Sequence, residues 1–135
     1  MTTLMVPLDG SELSGAALPV AVWLARGLDA EILLLMVGHL PETAVQAAGE
    51  RVDLTAMLDR AAERLQGLRV RKRIGISNSP SQGIIDVIAE ELPDLVVMST
   101  HGRSGWSEFV QGSVAEEVVR AGLTPVTLVR PPEVE

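Results

Sequence analysis

The stretch Ser99-Thr100-His101-Gly102-Arg103-Ser104-Gly105-Trp106-Ser107-Glu108-Phe109-Val110-Gln111-Gly112-Ser113 concentrates the residue types that hold an anion. Glycines at 102, 105 and 112 let backbone N–H groups come close to a ligand. A helix opening at Ser113 would add a positive dipole end and free donors. His101 and Arg103 bring further donors, and Ser113 offers a hydroxyl. These are the parts of a phosphate cradle, although a glycine-rich loop that simply turns uses the same residues. A second candidate is Pro7-Leu8-Asp9-Gly10-Ser11. There Asp9 can accept from a ribose hydroxyl or an adenine amine, or help to hold a divalent cation. Its ordinary alternative is to cap the following helix beside Ser11.

Residue identity excludes several neighbouring chemistries. A Walker A loop needs Gly-Lys-[Ser/Thr], and the chain's single lysine, Lys72, lies elsewhere. The glycine fingerprint of a dinucleotide fold is absent after the first strand. A phospho-acceptor receiver would want clustered acids, an aspartate and a lysine where this chain has Asp9 alone, Ser77-Asn78 and Arg130. His39 and His101 lack the spacing and cysteine partners of a structural metal site. No Gly-x-Ser-x-Gly elbow supports Ser104 or Ser113 with His101 as a hydrolytic pair.

Positioning these loops is the task of the surrounding elements. Apolar runs at Leu4 to Leu8, Glu31 to Val37, Val70 to Ile76, Leu95 to Ser99 and Pro125 to Val129 read as five strands. The second and fourth are apolar on both faces, as central parallel strands are, whereas Arg71-Lys72-Arg73 suits the third to an edge. Between them run helical stripes: Leu13, Ala16, Ala17, Val20 and Leu24; Leu54, Leu58, Ala61 and Leu65; Ile84, Ile85, Ile88 and Leu92; Val114, Ala115, Val118 and Ala121. Ser79-Pro80-Ser81-Gln82 predicts a capped start with a capping box, and Ser113 stands likewise three residues before Glu116. Pro19 falls inside the first stripe, which predicts a kink or a late helix start. Gly38 to Gly49 reads as the least patterned and most mobile connection. Strand and helix alternating to the end predict a single-domain α/β fold, residues 1–135, with a parallel sheet and right-handed crossovers. Ligands of such sheets bind beyond the strands' carboxyl ends, where both candidate loops fall.

Composition agrees with one domain: 135 residues, 47% of them hydrophobic. The absence of cysteine removes disulfides, thiolate metal sites and thiol nucleophiles. A formal net charge of -7 with only Trp23, Trp106 and Phe109 as aromatics argues against nucleic acid as a partner. Leu13 to Ala25, the longest uncharged stretch, is too short to span a membrane. Met1 to Gly10 has no signal-peptide character, so a cytoplasmic location is expected.

Val6-Pro7-Leu8-Asp9-Gly10-Ser11-Glu12, Ser99 to Gly105, Gly112-Ser113-Val114-Ala115-Glu116 and Thr124-Pro125-Val126 together resemble the universal stress protein family over essentially the whole chain. In its nucleotide-binding members the loop reads Gly, two residues, Gly, nine residues, Gly-[Ser/Thr]. Gly102 and Gly112-Ser113 match, while Ser99 stands in place of the first glycine. The resemblance implies strand order 3-2-1-4-5 with helices on both faces, and ATP, or ADP or AMP, between the loops after strands one and four. It implies that Pro7, Leu8, Asp9 and Val37 surround adenine. Met98, Ser99 and Gly102 would line the ribose and first phosphates, beside the donors His101 and Arg103 of the same loop. Gly112, Ser113 and Val114 would hold the phosphate tail, with the Ser113 hydroxyl near a Mg²⁺. It further implies a homodimer through Val126 to Val129, a segment that Pro125 and Pro131 could equally bracket as edge protection. The activity implied is that of a nucleotide-dependent stress-response module. Two alternatives stand beside it: a nucleotide-free dimeric interaction protein of the same fold, and an ATPase that is slow because His101 is its one candidate base.

Overall fold

A strand buried on both faces must find apolar cover twice, and here that requirement builds three layers. The structure, a computed structural model, describes residues 1–11, 14–100 and 113–131. Its strands are β1 (Thr3–Leu8), β2 (Glu31–Gly38), β3 (Val70–Ile76), β4 (Leu95–Ser99) and β5 (Val126–Val129). They form one parallel sheet in the order β3-β2-β1-β4-β5, as expected. The helices are α1 (Ala17–Leu28), α2 (Ala44–Glu63), α3 (Pro80–Glu91) and α4 (Ser113–Ala121). Among the described residues no helix is long and apolar enough to cross a membrane.

Alternate side chains of the central strands feed opposite layers. Leu4, Val6, Ile32, Leu34 and Met36 pack against α1 and α2, where Ala17, Ala21 and Ala25 give α1 a smooth buried stripe. Met5, Leu33, Leu35, Val96 and Met98 pack against α3 and α4 through Ile84, Val87, Ile88, Val114 and Val118. Right-handed crossovers require this division, because the chain steps one way along the sheet from β1 to β3 and the other way from β4 to β5.

Local signals explain most of the boundaries. Pro19 is the third residue of α1, which starts late, after a 3-10 turn over Ser14–Ala16. N–H groups of a helix's first turn have no intrahelical acceptor, so the proline sacrifices no bond there. Ser79 caps α3 as expected, accepting from the Gln82 N–H, with Pro80 at the first helical position. The Gln82 side chain, however, donates forward to Asp86 and does not close a capping box. The largest departure is α2, which begins at Ala44. Residues 44–49, expected as loop, are its first turns, and Thr43 caps it by accepting from the Gln46 N–H.

Edge strand β3 carries its cations as an ion-pair ladder. Arg71 bonds Glu31 and Glu91, Arg73 bonds Glu91 and Glu90, and Lys72, pointing to the other face, bonds Asp59. The Arg71 hydrogen bond, with Arg73 adding, outweighs partial burial and holds the Glu91 carboxyl below the ordinary carboxylate range. A depressed carboxylate stabilises the fold above its unfolded value of about 4.3 and loses that contribution as pH falls through the folded value. The wild type should therefore exceed Glu91→Gln in denaturation at pH 7 by at most about 1 kcal/mol, since the pairs are partly solvated. That difference should vanish at low pH; an advantage that grew on acidification would reverse the assignment.

Glycines bring α3 onto the sheet. A Cβ on Gly83 would lie 2.6 Å from Val37 Cγ1 and 3.2 Å from Ser77 Cβ, and a valine in a strand has little freedom to turn away. Gly83→Ala should cost about 1–3 kcal/mol in urea unfolding. Stability equal to the wild type would mean that α3 rides further from β2.

Candidate functional site

The crevice begins where β1 runs out of donors. Glu31 N–H donates to Thr2 O and Asp94 N–H to Thr3 O, so even residues of β1 face β2 and odd residues face β4. Pro7 therefore faces β4, and it has no N–H to give. Register with β2 runs through Leu8↔Met36, whereas register with β4 ends at Met5↔Val96. The seam between β1 and β4 is thus unpaired toward its carboxyl end, at the point where the connections diverge.

Past that point side chains take over. Asp9 Oδ1 accepts from the Ser11 N–H at 2.9 Å and the Ser11 hydroxyl at 2.6 Å, which turns the chain back toward α1. Gly10 permits the turn with φ +88°. Ser14 Oγ accepts from the Asp9 N–H and donates to Ser11 O. Ser99 Oγ then donates to Ser14 O at 3.0 Å, joining the end of β4 to this loop. Asp9 thus takes part in the local turn that was its ordinary alternative, while remaining half-buried at the strand's end.

Beside the turn lies a cleft of about 190 Å³ over the ends of β1, β2 and β3. Leu8, Met36 and Val37 give it apolar walls, with Leu54 and Met57 from α2; Asp9, His39, Glu50 and Ser77 are its polar members. Glu50 reaches back from α2 to the loop after β2. It accepts from the His39 N–H at 2.8 Å and meets His39 Nδ1 at 3.3 Å. Asn78 accepts from the Leu40 N–H and Gly38 O from the Ser77 N–H, so the rim is tied on two sides. At Gly38 a Cβ would collide with the Glu50 carboxylate. An aliphatic wall with carboxylates and hydroxyls at its edge suits a flat, nitrogen-rich ring held without aromatic stacking.

Leu8, Asp9 and Val37, three of the residues singled out above, meet in this cleft. Pro7 is buried in β1 beside it. Met98 is wholly buried in the α3 and α4 layer, Ser99 is 1% exposed and Val114 packs in the same layer as Met98. Their side chains are structural, leaving backbone as what β4 can offer. His101, Gly102, Arg103 and Gly112 lie outside the described residues, as does the side chain of Ser113, which opens α4. Among the described residues no group of three or more acidic or histidine side chains could hold a metal ion. Glu50, His39 and Leu54 were not foreseen, because a contact eleven residues apart depends on where α2 starts. The available signal was Thr43-Ala44-Val45-Gln46, a helix-opening spacing.

With this geometry in hand, comparison with known proteins is informative. The model of the universal stress protein family matches residues 1–130. Universal stress protein MJ0531 of Methanocaldococcus jannaschii is 27% identical over 143 residues, covering 98% of this chain and 84% of the relative. A universal stress protein solved in complex with cAMP aligns at TM-score 0.75 and 22% identity, covering 97% of this chain and 98% of its own. The universal stress protein of Archaeoglobus fulgidus in complex with dAMP aligns at TM-score 0.72 and 19% identity, covering 95% and 97% respectively. At such identities these two likenesses establish the fold.

The Ser99 bridge is separately testable. Removing its hydroxyl deletes a buried hydrogen bond, at a cost of about 0.5–1.5 kcal/mol. Ser99→Ala should lower the unfolding free energy by that amount, through a lower denaturation midpoint with an unchanged slope, and an unaltered midpoint would show that the Ser99 bridge adds nothing to stability.

Proposed function

This chain is a member of the universal stress protein family, and we propose that it binds an adenine nucleotide between the loops after β1 and β4 as a nucleotide-dependent regulatory module. The observation that carries this reading is the convergence of Leu8, Asp9 and Val37 on one cleft beside the open β1–β4 seam. Structural neighbours solved with cAMP and dAMP support it. At about 190 Å³ the cleft is smaller than the roughly 300–1,000 Å³ typical of whole ligands, which suits a base with its sugar and phosphates lying outside. Adenine sits on the aliphatic wall, and Asp9 receives a hydrogen bond from the ribose or the amine. Phosphates lie along Gly102 to Ser113, with backbone amides, the start of α4 and Arg103 as donors. ATP is the expected form, and Mg²⁺, held by its phosphates and Ser113, offsets their charge against a chain of net charge -7. The module works in the cytoplasm as a homodimer through β5, an edge strand in which Leu128 is exposed.

Calorimetry with ATP, ADP, AMP and cAMP, on protein whose oligomeric state is read by sedimentation, tests this reading. Saturable binding is expected, with ATP weakened by removal of Mg²⁺ and AMP indifferent to it. Asp9→Ala, checked for retained fold, should weaken all four about tenfold or more, the effect of losing a hydrogen bond to a charged group. Absence of binding at millimolar nucleotide with Mg²⁺ would sink the proposal and leave the nucleotide-free interaction protein, and a monomer would remove the dimer from it.

A further inference from the structure

We propose a second ligand site, for a small oxyanion carrying an apolar body, in the cleft between the loop after β1 and the face of α2. This cleft of about 200 Å³ is separate from the one over β2. Leu8, Leu18, Met36 and Met57 line it with apolar surface, and Arg60 of α2 and Arg64, which caps the end of that helix, line it with charge.

What sets the two arginines apart is that both line one cleft. Arg69, Arg71, Lys72 and Arg73 each meet a carboxylate. Arg60 and Arg64, like Arg26, Arg51, Arg120 and Arg130, have no hydrogen bond or ion pair among the described residues, but only these two share a cleft with each other. They stand four residues apart, so both guanidiniums fall on one side of the helix, an arrangement in which like charges repel. The carboxyl-terminal end of a helix tolerates cations. That accounts for charge at this end of α2 but not for two guanidiniums, without a partner among the described residues, lining one cleft with Leu8, Leu18, Met36 and Met57. Arg64 also folds over the rim: a Cβ on Gly15 would lie 3.3 Å from its Nη1, so the guanidinium rests against the 3-10 turn.

A planar guanidinium presents paired N–H donors that match a carboxylate or phosphate, and two of them suit a doubly charged head. The apolar lining asks for a body on the same molecule. A cleft below the usual range for whole ligands limits that body to one ring or a few carbons. The ligand class is therefore a phosphate monoester or carboxylate with a single-ring or short alkyl body. Leu8, Met36 and Met57 also line the nucleotide cleft, so the nucleotide itself must be distinguished as an occupant.

Titration of the full chain with phenyl phosphate at low ionic strength, followed by amide NMR shifts, provides the test. Saturable shifts are expected at Gly15, Leu18, Met57 and Ala61, with inorganic phosphate and phenol each binding at least tenfold more weakly. R60Q/R64Q should weaken phenyl phosphate about tenfold or more while keeping a folded spectrum. R60K/R64K, which retains charge but loses the fork, should fall between, and R26Q should change nothing. Saturating AMP should leave the affinity intact. Lack of saturation in the wild type, unchanged affinity in R60Q/R64Q, an equal loss in R26Q or displacement by AMP would each overturn the assignment.

Discussion

A single missing donor governs the working end of this molecule. β1 is the middle strand of five and would ordinarily bond along both edges for its whole length. Pro7 removes the N–H that its β4 edge needs, and paired register on that side stops two residues earlier. Proline is rare in central strands because the lost bond is costly. Its placement one residue from the end of β1 confines that cost to the place where the sheet must open. Crossovers leave β1 toward one edge and β4 toward the other, so the gap falls at the switch point of the sheet. The crevice is thus specified twice, by topology and by the chemistry of one residue.

What closes the gap just far enough is a relay of short side chains. Asp9, Ser11 and Ser14 fold the loop onto itself, and Ser99 fastens β4 to that loop. Hydroxyls suit the task because each donates and accepts within a small volume. Ser14 and Ser99 are almost wholly buried, and among the described residues no buried side-chain polar atom lacks a partner. Two apolar layers carry the fold beneath this relay, so the rim can be polar without weakening the core.

Much of this was legible in the residues. Strands betrayed themselves through apolar runs, β3 as an edge through its adjacent cations, and the start of α3 through Ser79-Pro80. Asp9 entered as a carboxylate ending the first strand and Val37 through family resemblance, and the cleft joins them. The forward half of α2 was illegible because residues 44–53 are almost entirely solvent-facing and carry no stripe. Only Thr43 and Gln46 mark that start, and a two-residue signal is easily overlooked. Glu50 was invisible for the same reason, since its reach to His39 exists only once the helix is long. Pro19 showed the opposite failure: its presence was plain, but its cost depended on whether α1 began two residues before it or six.

Ser99 is where family pattern and local physics meet most closely. The nucleotide-binding motif has glycine at this position, and a side chain there would ordinarily be expected to crowd a ligand lying across β4. In this chain the hydroxyl reaches into the loop after β1, and the residue is 1% exposed. Its added atoms occupy interior volume and satisfy the Ser14 carbonyl. The departure from glycine therefore adds a tie across the seam that Pro7 leaves unpaired. A side chain where the motif has glycine thus fastens the end of β4 to the loop after β1.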